Sequence, residues 1–187
     1  MSLYLNAVLL IVVLLALPVQ SEAQTADEHN RVGFEEYFRG EYTSALVNLT
    51  KAIELKPNFI DAYYHRGLVY MGLKDYPKSI QDFSTLIQLR PSALWYYFRA
   101  QASTYMMDWN NAIADYTEAI RIHRGDIPPY KAHIGRADAR FQTEDWQGAL
   151  EDYSAAIRLY DTEPSAYLGY GRTLSQIGNH LGAQSSY

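Results

Sequence analysis

Residues 66–91 read RGLVYMGLKDYPKSIQDFSTLIQLRP, and the order of small and bulky residues in this stretch recurs along the chain. Gly67 has almost no side chain, Tyr76 is a ring that follows polar turn residues, Ser79 is small and Phe83 is bulky. Ser79 and Phe83 are four residues apart, which places them on one face of an α-helix. The turn residues before Tyr76 separate this helix from one that contains Gly67. The stretch therefore predicts two helices joined by a short turn.

The same pattern returns at intervals close to 34 residues. The small residues equivalent to Ser79 are spaced 34, 33, 37 and 34 residues apart, and they are Ala45, Ser79, Ala112, Ala149 and Ala183. The bulky residues four positions later are Leu49, Phe83, Tyr116, Tyr153 and Tyr187. Twelve positions before each of the small residues stands a Gly or another Ala, and these are Gly33, Gly67, Ala100, Ala137 and Gly171. Small residues let two helices approach closely while the bulky side chain fills the space between them. Columns in register over five units indicate a repeat protein, in which no unit buries its apolar face alone.

This pattern resembles the tetratricopeptide repeat (TPR) family over roughly residues 26–187. The resemblance implies an all-α fold, a right-handed α-solenoid of about 4.5 helix hairpins with a concave groove. We assign residues 24–187 to the TPR domain, with repeat units at approximately 26–59, 60–92, 93–126, 130–163 and an incomplete unit at 164–187. The helical period predicts helices at 27–38, 42–55, 60–72, 76–89, 93–106, 109–122, 129–142, 146–159 and 164–176, with a further helix beginning at residue 180.

An almost unbroken apolar run, AVLLIVVLLALPV, spans residues 7–19. It is short for a membrane span but has the length of the apolar core of a secretory signal. The small residues Ser21 and Ala23 suit signal cleavage before Gln24. Residues 1–23 are therefore predicted to be a signal peptide, and the protein to be exported, periplasmic or secreted. No Lys or Arg precedes the run, so an uncleaved segment that anchors the chain in a membrane is the alternative.

Composition argues against several classes of function. The net charge of −5 does not suit a nucleic-acid binder, which needs a basic face to neutralise phosphates. The absence of cysteine excludes disulfides, thiol nucleophiles and zinc–thiolate sites. The five histidines are scattered, and neither a phosphate loop nor a serine nucleophile motif is present. The sequence therefore predicts no enzyme activity, no catalytic residue, no metal or cofactor, and no small-molecule substrate.

Arginine and aspartate recur as a pair within three of the units. The pairs lie sixteen residues apart and are Arg66 with Asp82, Arg99 with Asp115, and Arg136 with Asp152. The first and fifth units lack both charges. We interpret each pair as a structural ion pair that bridges the two helices of one hairpin, because the planar guanidinium can hold a carboxylate through two hydrogen bonds. A row of arginines presented to an acidic ligand is the alternative.

The resemblance also implies that the first helix of each hairpin lines the groove, where a peptide or protein partner binds. The helical period then gives the partner-binding positions as Asn30, Phe34, Tyr37, Tyr64, His65, Leu68, Tyr97, Phe98, Gln101, Asp138 and Phe141. These positions are largely aromatic and lack the lysine–asparagine clamp with which some TPR proteins hold a terminal carboxylate. We therefore expect a partner that inserts apolar or aromatic side chains.

A second reading concerns the C-terminal end of the repeat array. Repeat arrays normally end in a polar capping helix, whereas Leu181, Ala183 and Tyr187 give the last segment an apolar face. The alternative function is therefore a structural subunit of an envelope or secretory-compartment assembly, with possible self-association through the open C-terminal end.

Overall fold

A computed structural model describes residues 22–122 and 125–184, and these residues form nine α-helices and no strand. The helices are α1 (Glu22–Phe38), α2 (Tyr42–Leu55), α3 (Ile60–Gly72), α4 (Tyr76–Leu89), α5 (Ala93–Tyr105), α6 (Trp109–Arg121), α7 (Pro129–Gln142), α8 (Trp146–Leu159) and α9 (Pro164–Gln184). Each helix packs against the next one along the chain, which gives four hairpins followed by one long helix. The predicted signal segment lies outside the described residues, except that residues 22 and 23 begin α1.

The helix bounds at 42–55, 60–72, 76–89, 129–142 and 146–159 agree with the expectation from the sequence. The first helix begins at Glu22, earlier than expected. The prediction of a separate helix beginning at residue 180 is wrong, because α9 runs without a break from Pro164 to Gln184. Gly178-Asn179 would suit a turn, but a glycine inside a helix costs only about 1 kcal/mol, so α9 can continue through these residues.

Close contact between small and bulky residues sets the distance between the two helices of a hairpin. A Cβ atom placed on Gly33 would lie 2.7 Å from Cγ of Leu49, and one on Gly67 would lie 3.0 Å from Cζ of Phe83. Both bulky side chains are fully buried. A larger residue at either glycine would force the neighbouring side chain to shift, so the repeat pattern reflects interhelical spacing.

The turn inside each hairpin has the same backbone conformation. One residue adopts a left-handed conformation with φ between 60° and 76°, and these residues are Gly40, Lys74, Met107 and Glu144. The residue that follows caps the second helix in three hairpins, where Asp75, Asp108 and Asp145 accept hydrogen bonds from the backbone N–H groups of Lys78, Asn111 and Gly148. Glu41 stands at this place in the first hairpin and makes no such side-chain bond.

Three arginine clamps join the hairpins, each clamp being an Arg–Asp pair together with a hydroxyl of the preceding hairpin. In the middle clamp, Nε and Nη2 of Arg99 each donate to an oxygen of Asp115 at 2.7 Å. Its Nη1 donates to the hydroxyl of Ser84 at 3.0 Å. The other two clamps are Arg66 with Asp82 and Thr50, and Arg136 with Asp152 and Thr117. Each arginine thus connects three helices, and both edges of its guanidinium are engaged inside the fold.

The aspartates of the clamps are buried, and Asp152 has the most partners. It accepts hydrogen bonds from His133 at 2.8 Å and from Arg136 at 2.6 Å and 2.8 Å, and it accepts a further bond from Arg140 at 2.8 Å. Burial acts to raise the pKa of Asp152, but these donors outweigh it and hold the pKa below its usual value. In the first hairpin, where the pair is absent, Asn48 contacts His29 and Glu36 instead.

Removal of one partner of the middle clamp should destabilise the fold strongly. We expect Asp115→Ala to lower the free energy of unfolding by about 3 kcal/mol, because Arg99 is left partly buried without its carboxylate. The double variant Arg99→Met, Asp115→Leu should recover much of this loss, since no charge then remains unpaired. Urea denaturation followed by circular dichroism measures both effects.

A matched control is Glu54→Ala, which removes an exposed pair with Lys51 and should leave the free energy of unfolding nearly unchanged. A double variant no more stable than Asp115→Ala alone would contradict the role given to the clamp.

Candidate functional site

The first helices of the hairpins form the inner layer of the solenoid. Helix α1 packs against α3, α5 against α7, and α7 against α9, in addition to the contacts within hairpins. Between α3 and α5 the rings of Tyr64 and Phe98 meet with centroids 5.6 Å apart. Among the described residues, no comparable packing joins the second helices of neighbouring hairpins. The solenoid therefore curves toward α1, α3, α5, α7 and α9, whose shared surface we call the groove.

The aromatic half of the groove is the surface formed by Phe34, Tyr37, Phe38, Tyr64 and His65 on α1 and α3. The ring of Phe34 stacks on that of His65 with centroids 3.8 Å apart. Phe38 packs its edge against Phe34 at 4.6 Å and is 72% exposed to solvent. Rings that brace one another in this way present a rigid apolar surface.

His65 and Asn30, both predicted to bind a partner, bind one another. Nδ1 of His65 lies 2.8 Å from Oδ1 of Asn30, so the imidazole donates its N–H to the amide oxygen. Burial lowers the pKa of His65 to about 4, which keeps the ring neutral at neutral pH. The pair ties α1 to α3 and occupies the amide oxygen of Asn30.

Tyr64, Leu68 and Phe98 serve the packing between hairpins as well as the groove. They are partly buried against the core cluster of Phe83, Leu86 and Trp95. The ring of Phe98 stacks on Phe83 at 5.4 Å. The helical period identifies which face these residues occupy, but it cannot separate a ring that fills the joint between hairpins from one that is left for a ligand.

We call the part of the groove formed by α5, α7 and the start of α9 its polar half. It contains a recess of about 290 Å³. Its lining includes three of the predicted positions, Tyr97, Gln101 and Asp138. The lining residues that the sequence prediction missed at the groove are Tyr116, Tyr130, Lys131, Gly135, Glu163 and Ser165. Nε2 of Gln101 donates to the hydroxyl of Tyr97 at 3.0 Å, which fixes both side chains at one wall.

Two core tyrosines pack against glycines of the first helix that follows, α7 or α9, beneath the groove. A Cβ atom placed on Gly135 would lie 2.4 Å from Cζ of Tyr116, and one on Gly169 would lie 2.3 Å from Cζ of Tyr153. The hydroxyl of Tyr153 donates to Oδ1 of Asp138 at 2.5 Å. Burial raises the pKa of both tyrosines, so both hydroxyls stay protonated at neutral pH. The sequence feature that marks this contact is a tyrosine at the position held by Leu49 and Phe83 in earlier units, together with a glycine in the following unit.

Phe141, the last of the predicted groove positions, carries the guanidinium of Arg172 over its ring at 4.1 Å. Arg172 also approaches Oδ1 of Asp138 at 3.6 Å, with both side chains about half exposed.

In residues 22–122 and 125–184, no group of three or more His, Asp or Glu residues could hold a metal ion. No helix in this part of the chain combines the length and the apolar character needed to cross a membrane.

Family models match most of the repeat region. A model described as TPR repeat matches residues 33–74. A second model, described as tetratricopeptide repeat, matches residues 60–93, and a third with the same description matches residues 99–164 and 134–183. The chain belongs to the tetratricopeptide repeat family. TPR proteins in general are non-enzymatic scaffolds for protein interactions.

Solved structures with the same fold share little sequence with this TPR protein. A crystal structure of MamA protein has a TM-score of 0.77 at 19% identity, over 83% of this chain and 84% of that chain. YrrB, described as a TPR protein with an unusual peptide-binding site, has a TM-score of 0.69 at 18% identity, over 81% and 77%. The second TPR domain of human RPAP3, in complex with an HSP70 peptide, has a TM-score of 0.56 at 22% identity, over 59% and 91%.

A curated relative, BBSome complex member BBS4 from Xenopus tropicalis, is 30% identical over 98 residues, which are 52% of this chain. The match spans only 19% of the length of that relative. These likenesses establish the fold, and the groove residues have to be argued from their own geometry.

The stability of the protein should depend on the protonation of His65. Its pKa of about 4 in the folded state lies below the ordinary value of 6.5, so the unfolded chain binds the proton more tightly. Stability should therefore fall as the pH is lowered from about 6.5 toward 4, by on the order of 1 kcal/mol once solvent screening of this partly exposed ring is allowed for. Thermal melts at pH 5 and pH 7 measure the change.

The variants His65→Gln and His65→Phe should both show a smaller drop in Tm between pH 7 and pH 5 than the wild type. The first variant keeps a hydrogen-bonding group near Asn30, and the second keeps a ring beside Phe34. If both variants retain the slope of the wild type, His65 is not the group that titrates.

Proposed function

We propose that this TPR protein is a scaffold that holds an extended segment of a partner protein in its groove, with the aromatic half taking apolar side chains. The observation that carries the proposal is the rigid, solvent-exposed ring surface around Phe38 on the inner side of the solenoid. Rigid rings give a large contact area and lose little conformational entropy when a partner binds.

The distribution of charge supports a partner bound mainly through apolar contacts. The arginines of the clamps hold aspartates inside the fold, so they do not offer a basic row to an acidic ligand. The predicted groove positions of the first two hairpins contain no lysine or arginine. A terminal carboxylate would therefore find no cation in the aromatic half.

We also propose that the scaffold acts after export, in a periplasm or another secretory space, because residues 1–23 have the composition of a signal peptide. Sequencing the N-terminus of the protein isolated from its native source tests this. A chain that begins at Gln24 supports cleavage, whereas an intact N-terminus in a membrane fraction supports the membrane-anchored alternative.

A random peptide library displayed on phage provides the test of the groove. We expect the wild-type protein to enrich peptides with apolar or aromatic residues, and Phe38→Ala with Tyr37→Ala to lose at least tenfold in affinity for them. The measurement is the Kd of synthetic copies of the enriched peptides by fluorescence anisotropy.

The control for this test is Val47→Ala with Leu159→Ala, which removes two exposed apolar side chains from second helices and should leave binding intact. The absence of any enriched peptide, or equal losses in both variants, would contradict the proposed function.

A second candidate is a structural subunit that associates through the outer face of α9. Within the part of the chain that the structure describes, nothing lies within 4 Å of a Cβ atom placed on Gly171 or Gly178, and Tyr167 and Leu174 are 50% and 47% exposed. These residues recur at helical spacing on one face. In the four hairpins, the residue equivalent to Gly171 is covered by the second helix, so this face extends an interface that repeats through the fold. A helix from a second copy of the chain would suit it.

Light scattering of the purified protein tests this candidate. A dimer that Leu174→Glu converts to a monomer would support association through α9, because the charge would be buried in the interface. A wild-type protein that stays monomeric at concentrations of about 100 µM would contradict it. The proposed contacts of Leu181, Ala183 and Tyr187 lie outside the side chains that the structure describes.

A further inference from the structure

The recess in the polar half of the groove differs from the aromatic half in both charge and shape. Two carboxylates, Asp138 and Glu163, line it together with three tyrosines. We propose that this recess is a subsite for a basic side chain, lysine or arginine, of the bound segment. The inference rests on the proposed function and names the chemistry that the groove recognises at this point.

Asp138 is held in position by the fold. Its Oδ1 accepts a hydrogen bond from the hydroxyl of Tyr153 at 2.5 Å, and Tyr153 itself is fully buried. Within the described residues, the hydrogen bond to Asp138 is made at Oδ1, and Arg172 approaches the same oxygen at 3.6 Å. The carboxylate is therefore oriented by a buried donor while Oδ2 keeps its capacity to accept a hydrogen bond from a ligand. A charge-assisted bond to an ammonium or guanidinium group is the strongest that it can make.

The walls of the recess also favour a cation. The rings of Tyr97 and Tyr116 pack edge to face with centroids 5.9 Å apart, and Tyr130 lies on the same lining. The faces of tyrosine rings attract ammonium and guanidinium groups and pack against the methylene stem of either side chain. Gln101 donates its amide N–H to Tyr97, which leaves its carbonyl oxygen as a further acceptor at this wall.

Two cations of the protein lie near the recess, and neither fills it. Lys131 is exposed on the lining. Arg172 lies over the ring of Phe141 and reaches Asp138 only at 3.6 Å, as a half-exposed pair. Exposed pairs of this kind contribute little free energy, so an incoming basic side chain can share Asp138 at small cost. An acidic side chain in the same place would face both Asp138 and Glu163.

The position of the recess adds a constraint on sequence. It involves α5, α7 and the start of α9, whereas the aromatic half belongs to α1 and α3. A single extended segment that fills both must therefore carry its apolar residues and its basic residue at a fixed separation along the chain. This predicts a bipartite motif rather than a general preference for basic peptides.

The experiment uses the full chain, the enriched phage peptides and the variant Asp138→Asn, which keeps an oxygen in reach of Tyr153. We expect the wild type to enrich peptides with a lysine or arginine at a fixed distance from the apolar residues. Replacing that residue by norleucine should weaken binding to the wild type about tenfold and binding to Asp138→Asn less than twofold. Each protein is compared with itself, so a change in overall stability does not affect the result.

The matched control is Asp61→Asn, an exposed carboxylate in the first turn of α3, which should keep the tenfold response to norleucine. Peptides that bind the groove without a basic residue, or equal losses in the wild type and Asp138→Asn, would overturn the basic subsite and leave the proposed function standing. A library that enriches nothing would contradict the proposed function itself.

Discussion

A guanidinium shared between two hairpins sets the geometry of this solenoid. Arg66, Arg99 and Arg136 each bind an aspartate of their own hairpin through two hydrogen bonds and a hydroxyl of the preceding hairpin through a third. The same side chain therefore fixes the angle within its hairpin and the step from the preceding one. Because the fork of each arginine is engaged in this way, the groove is left with rings and only a few charges.

A change at one position of the repeat divides the groove into two halves. Leu49 and Phe83 fill the first two hairpins with hydrocarbon, whereas Tyr116 and Tyr153 place a hydroxyl at the far end of the ring. That hydroxyl needs space, and Gly135 and Gly169 supply it on the next first helix. Tyr116 and Gly135 line the recess, and the hydroxyl of Tyr153 orients the carboxylate of Asp138 there. Core composition and ligand chemistry are thus linked through the same residues.

The sequence predicts those features that depend on local periodicity. Five helices agree in both bounds, and each Arg–Asp pair is in contact, because the residues concerned recur at fixed positions of a repeat. The unbroken helix α9 is not predictable from the pattern, since Gly171 keeps the small residue of the repeat although no atom of the described residues lies within 4 Å of a Cβ atom placed on it. The sequence also does not predict the hydrogen bond between His65 and Asn30 or the recess around Asp138, because both are formed by residues of neighbouring hairpins. Such contacts depend on the step between hairpins, which a single repeat does not specify.

A crystal structure of the protein with an enriched peptide tests the central claim, that the inner surface of the first helices is the binding site. The account predicts an extended peptide along α1, α3, α5 and α7, with an apolar side chain against Phe34 and Phe38. A peptide bound to the second helices, or one that leaves these rings exposed, would contradict it.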